Sequence, residues 1–302
     1  MCRHAPLRSQ ALGREGVGMR LLWLTMGILA VAQGACCAQL EQATSAGQLV
    51  RDVVYNELHD HDRHGYWRYW IERHLQQGTR LEEQVETAEG SMTRLNQSNG
   101  RPLDAAGRLA EERRISRLLS SPAEQARQRQ EYAEDERRVG RIVALLPDAF
   151  LYEYAGEDSG CYHLRFRPNP DFPAHSIEAR IFHAMSGELW VSIRSKRLVR
   201  LDGHLEENVN FGFGILGRLQ KGGWFRLQRT QVSATDWKTE RFELHMSGRA
   251  MLFKEIVRES SEVRSGFSQV PTGMNLAQGA ALLDHAQASG AQVSEAGFVM
   301  IR

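Results

Sequence analysis

The stretch "HDHDRH" places His59, Asp60, His61, Asp62 and His64 within six residues. A bound metal needs three or four such ligands held in a fixed geometry. Ligands on a helix converge at a spacing of four, and on a strand only His59 and His61 would share a face. At most two ligands therefore converge locally. We expect a solvated turn before the first strand, and the alternative is that His59, His61 and His64 hold a metal in a hydrolase.

A second motif, "GFGILG" at residues 212–217, matches the glycine spacing of a dinucleotide-binding loop. That loop requires a strand before it and a helix after it, because the helix N-terminus holds the pyrophosphate. Here a turn and the strand-like "GGWFRLQRTQV" follow. The chain also lacks the G-x-S-x-G, H-E-x-x-H and P-loop patterns. We therefore expect neither an enzyme nor a cofactor.

The N-terminal region has the pattern of a secretory signal, with Arg20 before the apolar run Leu21–Ala32 and small residues after it. We predict that residues 1–38 are a signal peptide and that the protein is exported to the periplasm. An alternative is that the chain is anchored to the membrane as a lipoprotein through Cys36. The residues before Cys36, Gln33–Ala35, match a lipoprotein cleavage site only in part.

The charge balance excludes one class of partner. Loss of residues 1–38 removes four of the 38 basic and one of the 37 acidic residues, which leaves a net charge of −2. A nearly neutral chain does not favour nucleic acid, which binds proteins largely through excess positive charge. Only Cys161 lies well inside the body, so we expect no disulfide framework.

The elements around the histidine stretch follow from hydrophobic periodicity. Residues 46–58 have helical spacing, and residues 65–103 alternate between glycine breaks like a three-stranded antiparallel meander. Residues 104–146 are rich in Ala, Glu, Arg and Leu and predict two helices. The second begins with Ser121 as N-cap and Pro122 at its first position. We expect Pro147 to end it.

Residues 150–263 return to strand patterns. We predict strands over 150–156, 161–169, 179–187, 188–195, 196–206, 222–232, 238–248 and 251–263. The predicted turns include Ser186-Gly187, Asp202-Gly203 and Ser247-Gly248. Residues 272–302 are rich in Ala, Gly, Ser and Gln. We interpret them as a flexible C-terminal tail with one short helix over 275–288.

The apolar stretch "NVNFGFGILG" lies between two predicted strands. Its large side chains are candidates for a lid over an apolar cavity, because flanking glycines permit hinge motion. The alternative is a loop that packs into the core. The candidate lid residues are Phe211, Phe213, Ile215 and Leu216.

A signal peptide, an N-terminal helix, a long antiparallel sheet interrupted by helices, and the "GILG…GGWFRLQ" segment together resemble the LolA/LolB-like family of outer-membrane lipoprotein-sorting proteins. The resemblance covers residues 46–265. It implies an α+β fold in which a large antiparallel sheet forms an incomplete, half-open β-barrel covered by helices. The domain would span residues 39–271, with 104–146 as a helical insertion larger than a compact carrier needs.

The resemblance also implies an apolar cavity for lipoprotein acyl chains or other lipids. The candidate cavity residues are Trp67, Tyr69, Phe182, Trp190, Leu201, Phe225, Leu227, Phe242 and Phe253. We therefore expect a monomeric envelope protein that binds a lipid or lipoprotein acyl chain. The main alternative is a non-enzymatic protein–protein interaction module or scaffold that uses the charged helix around Arg127–Arg141 to contact an envelope protein.

Overall fold

The computed structural model describes residues 45–59, 65–211, 217–250 and 254–288. In these ranges the chain forms one antiparallel sheet of thirteen strands with five helices against it. The sheet does not close on itself, so the predicted half-open α+β architecture is confirmed. The predicted signal peptide, Cys36, His61, His64, Phe213, Ile215, Leu216 and Phe253 lie outside the described residues.

The strands and helices alternate along the chain in blocks. Their order is α1 Ala46–Leu58, β1 Tyr66–Leu75, β2 Gly78–Thr87, β3 Gly90–Ser98, β4 Arg101–Pro102, α2 Ala105–Ser120, α3 Pro122–Ala149, β5 Phe150–Asp158, β6 Cys161–Pro168, α4 Ile177–His183, β7 Met185–Ser192, β8 Leu198–Leu205, β9 Val209–Phe211, β10 Gly217–Leu219, β11 Trp224–Gln231, β12 Trp237–Ala250, β13 Lys254–Val270 and α5 Leu276–Ala288.

Hydrogen bonding arranges the strands in the order β4-β3-β2-β1-β13-β12-β11-β8-β7-β6-β5. The short hairpin β9–β10 extends the sheet beside the end of β12. Pairing of β1 with β13 joins the first strands of the domain to the last one. The predicted meander over residues 65–103 is therefore one end of a single large sheet.

The two faces of the sheet carry different coverings. We call the face with Leu164, Leu189 and Leu205 the inner face; it packs against α1 through Leu49 and Val53, and all five side chains are buried. The opposite, outer face is covered by α2 and α5 only at β1–β3. The remainder of the outer face, over β5–β8 and β11–β13, carries no helix among the described residues.

One predicted strand is wrong. Residues 177–183 form α4, and β7 begins only at Met185. The Ser176 hydroxyl caps the helix by accepting a hydrogen bond from the Ala179 amide at 3.0 Å. Ala179 and Phe182 then share one buried side of the helix, three residues apart. The capping serine and this spacing outweigh the alternation that suggested a strand.

Three predicted turns are also wrong, because Ser186-Gly187, Asp202-Gly203 and Ser247-Gly248 lie inside β7, β8 and β12. These glycines allow close approach within the sheet rather than a reversal of the chain. A Cβ atom at Gly248 would come 2.4 Å from the carbonyl oxygen of Arg218 on β10. Glycine inside a strand often marks such a close backbone approach.

Two helix ends differ from the sequence interpretation. Ser121 does cap α3, accepting from the Glu124 amide at 3.2 Å. However, α3 continues through Pro147 to Ala149, because Ala149 and Phe150 are buried in the main core and hold the last turn there. In the predicted tail, residues 276–288 form α5, and Leu276 and Leu283 are buried against the sheet. That part belongs to the packed body, and residues 289–302 lie outside the described ones.

Candidate binding groove on the outer face

A groove crosses the outer face at right angles to the strands. Successive side chains on a strand point to opposite faces of the sheet. Two rows of outward side chains are therefore separated by a row of residues whose side chains point inward, and the groove lies along that row. Its first part has a volume of about 550 Å³ and crosses β5, β6, β7, β8 and β11. Its second part, of about 310 Å³, crosses β12, β13 and β1. Trp224 lines both parts.

The strand register aligns the groove floor across all eight strands. Each floor residue is the Cα partner of the next one. In order across the sheet they are Tyr152, Phe166, Gly187, Gly203, Phe225, Leu244, Ser260 and Leu75. Seven spacings of about 4.8 Å give a path of about 34 Å along the sheet.

Two rows of side chains form the walls. The first row, here called the histidine wall, consists of Leu151, Arg167, Ser186, His204, Trp224, His245, Glu259 and Gln76. The second row, here called the charged wall, consists of Glu153, Arg165, Glu188, Asp202, Arg226, Glu243, Ser261 and His74. Positions two residues apart on a strand separate the two rows of Cα atoms by about 7 Å.

The charged wall is an ion-pair ladder between neighbouring strands. Arg226 bridges two carboxylates, with Nε 3.3 Å from Asp202 Oδ1 and Nη1 3.7 Å from Glu243 Oε2. Arg165 Nε lies 3.4 Å from Glu188 Oε1. These groups are half-exposed, so each pair contributes little to stability. They remain available to bind polar groups of a ligand.

Trp190 lies on β7 two residues from Glu188, beside the charged wall and outside the groove. Its ring stacks on His163 at a centroid distance of 4.6 Å, and the guanidinium carbon of Arg200 lies 4.5 Å from the centroid of the Trp190 ring. Arg200 Nε in turn donates to Asp202 at 3.0 Å. Trp190, one of the candidate cavity residues, therefore lies on the outer face.

The centre of the histidine wall is an exposed indole. Trp224 keeps 39% of its surface open, and its ring stacks with His245 at 6.2 Å between centroids. On the neighbouring strand β8, the Cα partner of Trp224 is His204. Leu151, 38% exposed, lies at the β5 end of the same wall. A large aromatic ring exposed within a groove is typical of an anchor in a binding surface.

Ser186, His204 and Glu206 form a polar cluster beside Trp224, but not the relay of a serine hydrolase. The Ser186 hydroxyl donates to Glu206 Oε1 at 2.8 Å, and His204 Nε2 lies 2.7 Å from the same oxygen. A relay requires the carboxylate and the hydroxyl on different ring nitrogens. Here the hydrogen bonds from Ser186 and His204 hold the pKa of the Glu206 carboxyl below its usual range.

The predicted cavity residues divide between the two faces. Trp67, Tyr69, Leu201, Phe225, Leu227 and Phe242 lie on the inner face. Phe182 packs into the main core from α4, 5.2 Å from the Phe150 ring centroid. Phe211, a candidate lid residue, lies in β9 and packs against the same core.

The inner face contains an apolar row that is only partly buried. Leu164, Leu189, Leu201, Leu227 and Phe242 are successive cross-strand neighbours. Leu164 and Leu189 are buried, whereas Leu201, Leu227 and Phe242 are only half-buried. The apolar row therefore continues from the buried core onto a less buried surface on β8, β11 and β12.

The remaining predicted sites can be placed in part. His59 lies at the end of α1, where its Nδ1 is 2.8 Å from the Tyr55 carbonyl oxygen. Within residues 45–59, 65–211, 217–250 and 254–288, no group of three His, Cys, Asp or Glu side chains is arranged to hold a metal. The three-histidine hypothesis itself depends on residues outside those ranges. In the part of the chain that the structure describes, no helix is long and apolar enough to cross a bilayer.

Comparison with known proteins does not assign this chain to a family. No protein family matches the chain, and no curated protein matches it. Among solved structures it is similar to MucB, taken from a crystal structure of MucB in complex with MucA(peri). That match has 10% identity and a TM-score of 0.22, and covers 76% of this chain and 97% of that one. A TM-score this low does not establish a shared fold, and LolA/LolB-like membership stays a prediction.

Proposed function

We propose that this chain is a non-enzymatic, exported binding protein that holds an extended segment of a partner protein in the outer groove. The observation that carries the proposal is Trp224, which is exposed in the middle of a groove that crosses eight strands. Binding energy in protein interfaces concentrates on such aromatic anchors, with arginine the other common anchor type. Arg165, Arg167 and Arg226 line the same groove.

The dimensions support a polypeptide as the occupant. A path of about 34 Å corresponds to about ten extended residues. A backbone in the groove needs donors and acceptors, and the charged wall offers guanidinium groups and carboxylates in alternation. The walls combine an apolar anchor with paired charges, which is the composition of a wet, reversible protein interface.

The test is a selection of random 12-residue peptides on the full chain, followed by calorimetry of the best binders. Trp224→Ala should weaken binding at least tenfold, because the central aromatic anchor is lost. Val139→Ala on α3 is the matched control, since Val139 is 58% exposed and lies on the charged helix that the sequence analysis offered as an alternative surface. Binding that is unchanged by Trp224→Ala and weakened by Val139→Ala would overturn the proposal in favour of α3.

The inner apolar row favours a second candidate function, the binding of a lipid or lipoprotein acyl chain. Leu227 and Phe242 are Cα partners and are both half-buried. An acyl chain laid over them would gain about 25 cal/mol per Å² of apolar area removed from water. Native mass spectrometry tests this candidate. A bound acyl lipid that is lost in Phe242→Ser but kept in Trp224→Ala supports it, and an apo mass for the unchanged chain contradicts it.

A further inference from the structure

The outer groove has a second candidate occupant within the chain itself, because α5 points toward the end of the sheet at which the groove opens. The helix begins at the β2–β3 hairpin, where the Leu276 amide donates to Glu89 at 3.1 Å. Two turns later Asp284 forms an ion pair with Arg94 in the middle of β3. The helix therefore runs from the start of β3 toward its end.

The helix also lies on the same face as the groove. Its buried Leu276 and Leu283 pack with Val85 and Met92, which point to the outer face. The end of β1 that α5 approaches is the end that carries His74, the last residue of the charged wall. The chain therefore leaves α5 at Ala288 on the outer face and on the side where the groove opens.

The chain after α5 is long enough to reach the anchor. Trp224 on β11 is four strand spacings from β2, a distance of about 19 Å. Phe298 is ten residues beyond Ala288, and ten extended residues span up to about 33 Å. The apolar run Phe298, Val299, Met300 and Ile301 can therefore lie against the Trp224 ring.

We propose that residues 289–302 occupy the groove when no partner is bound, with the apolar run 298–301 at Trp224. This inference rests on the proposed function in one respect, because the segment would then compete with the partner. A site that its own chain fills for nine-tenths of the time binds a competitor about tenfold more weakly. The segment thus sets a threshold that a partner segment must exceed.

The first test needs no partner. Phe298 is replaced by photoreactive p-benzoylphenylalanine in the full chain, and the cross-links are mapped by mass spectrometry. We expect cross-links within one molecule to groove residues around Trp224 and His245. The same group at Val139 is the control and should not reach them. Cross-links to other surfaces, or only between two molecules, would overturn the inference.

The second test uses a peptide selected on the full chain. Replacement of all four apolar residues, Phe298→Ser, Val299→Ser, Met300→Ser and Ile301→Ser, should raise its affinity about tenfold. Val293→Ser, in the same segment but outside the apolar run, should leave the affinity unchanged. Equal affinity in both variants contradicts the inference. If peptides bind without dependence on Trp224 while Phe298 still cross-links to the groove, the proposed function fails and the occupancy by residues 289–302 stands.

Discussion

Gly187 on β7 and Gly203 on β8 are Cα partners at the centre of the groove floor. A Cβ atom on Gly203 would lie 2.3 Å from the Phe225 ring, and one on Gly187 would lie 2.0 Å from the Asp202 carbonyl oxygen and 2.7 Å from the Phe166 ring. The inner-face rings therefore lie directly against the backbone of the two glycines. This contact joins the floor of the outer groove to the core.

The first prediction concerns this pair of glycines. Gly187→Ala should lower the free energy of unfolding by about 1–3 kcal/mol, because the added methyl group collides with backbone as well as with a ring. Urea unfolding at neutral pH measures it. Gly140→Ala is the control: its Cβ would meet only Leu58 at 3.7 Å, inside α3. That change should be neutral or stabilising, since alanine favours helix more than glycine does. Equal losses in the two variants would contradict the account.

The second prediction concerns the end of α1. The Glu57 carboxylate accepts a hydrogen bond from Arg197 Nε at 3.0 Å and also forms an ion pair with Arg229. All three side chains are largely buried, at 15%, 10% and 13% exposure respectively. Glu57→Ala leaves two guanidinium groups without this carboxylate and should cost about 3–5 kcal/mol in thermal or urea unfolding.

The exposed pair Arg127–Glu131 on α3, at 2.7 Å, is the control for this second prediction. Glu131→Ala should produce no measurable change in stability, because solvent screens an exposed pair. A Glu57→Ala variant as stable as Glu131→Ala would show that the Glu57 cluster does not hold α1 to the sheet.

The third prediction concerns Asp236, which is 3% exposed. Its carboxylate accepts hydrogen bonds from the Gly65 amide at 2.8 Å and the Thr235 hydroxyl at 2.9 Å, and a further one from Ser233. Burial alone would raise the pKa of Asp236, but these hydrogen bonds outweigh it and hold the pKa below its usual value of 3.8. Asp236→Asn should cost about 1–3 kcal/mol at neutral pH.

The pH dependence of this third prediction follows from the sign of the shift. A depressed pKa in the folded state contributes stability above the unfolded pKa, and this stability is lost as the pH falls through the folded pKa. The difference between the unchanged chain and Asp236→Asn should therefore be constant above about pH 5 and shrink below 3.8. Asp171→Asn, at an exposed position, is the control. A difference that is independent of pH down to 2.5 would refute the role of the carboxylate charge.

The sequence predicts the sheet and the helices well where the signal is local. The Ser121 cap, the helical spacing of residues 46–58 and the alternation of the first three strands all appear in the structure. The α4 helix was mistaken for a strand because seven residues are too few for periodicity to separate the two structures. The Ser176 cap and the spacing of the buried Ala179 and Phe182 distinguish it.

The groove depends on long-range register, which the sequence does not contain. A shift of one residue between two strands would exchange the faces of every side chain on one of them. Part of the signal was nevertheless available. Leu189 and Val191 alternate with Trp190, so Trp190 must face away from them, and Trp224 must face away from Phe225. That Gly187 meets Gly203, and Trp224 meets His245, follows only from the paired strands.

The most direct test of the account is to locate a bound peptide without assuming its position. A peptide selected on the full chain carries a photoreactive group at each position in turn, and its cross-links are mapped by mass spectrometry. We predict contacts on both walls of the outer groove, in an order that runs from Leu151 or Arg165 through Trp224 to His74. Cross-links confined to α3, or to the inner face around Phe242, would contradict it.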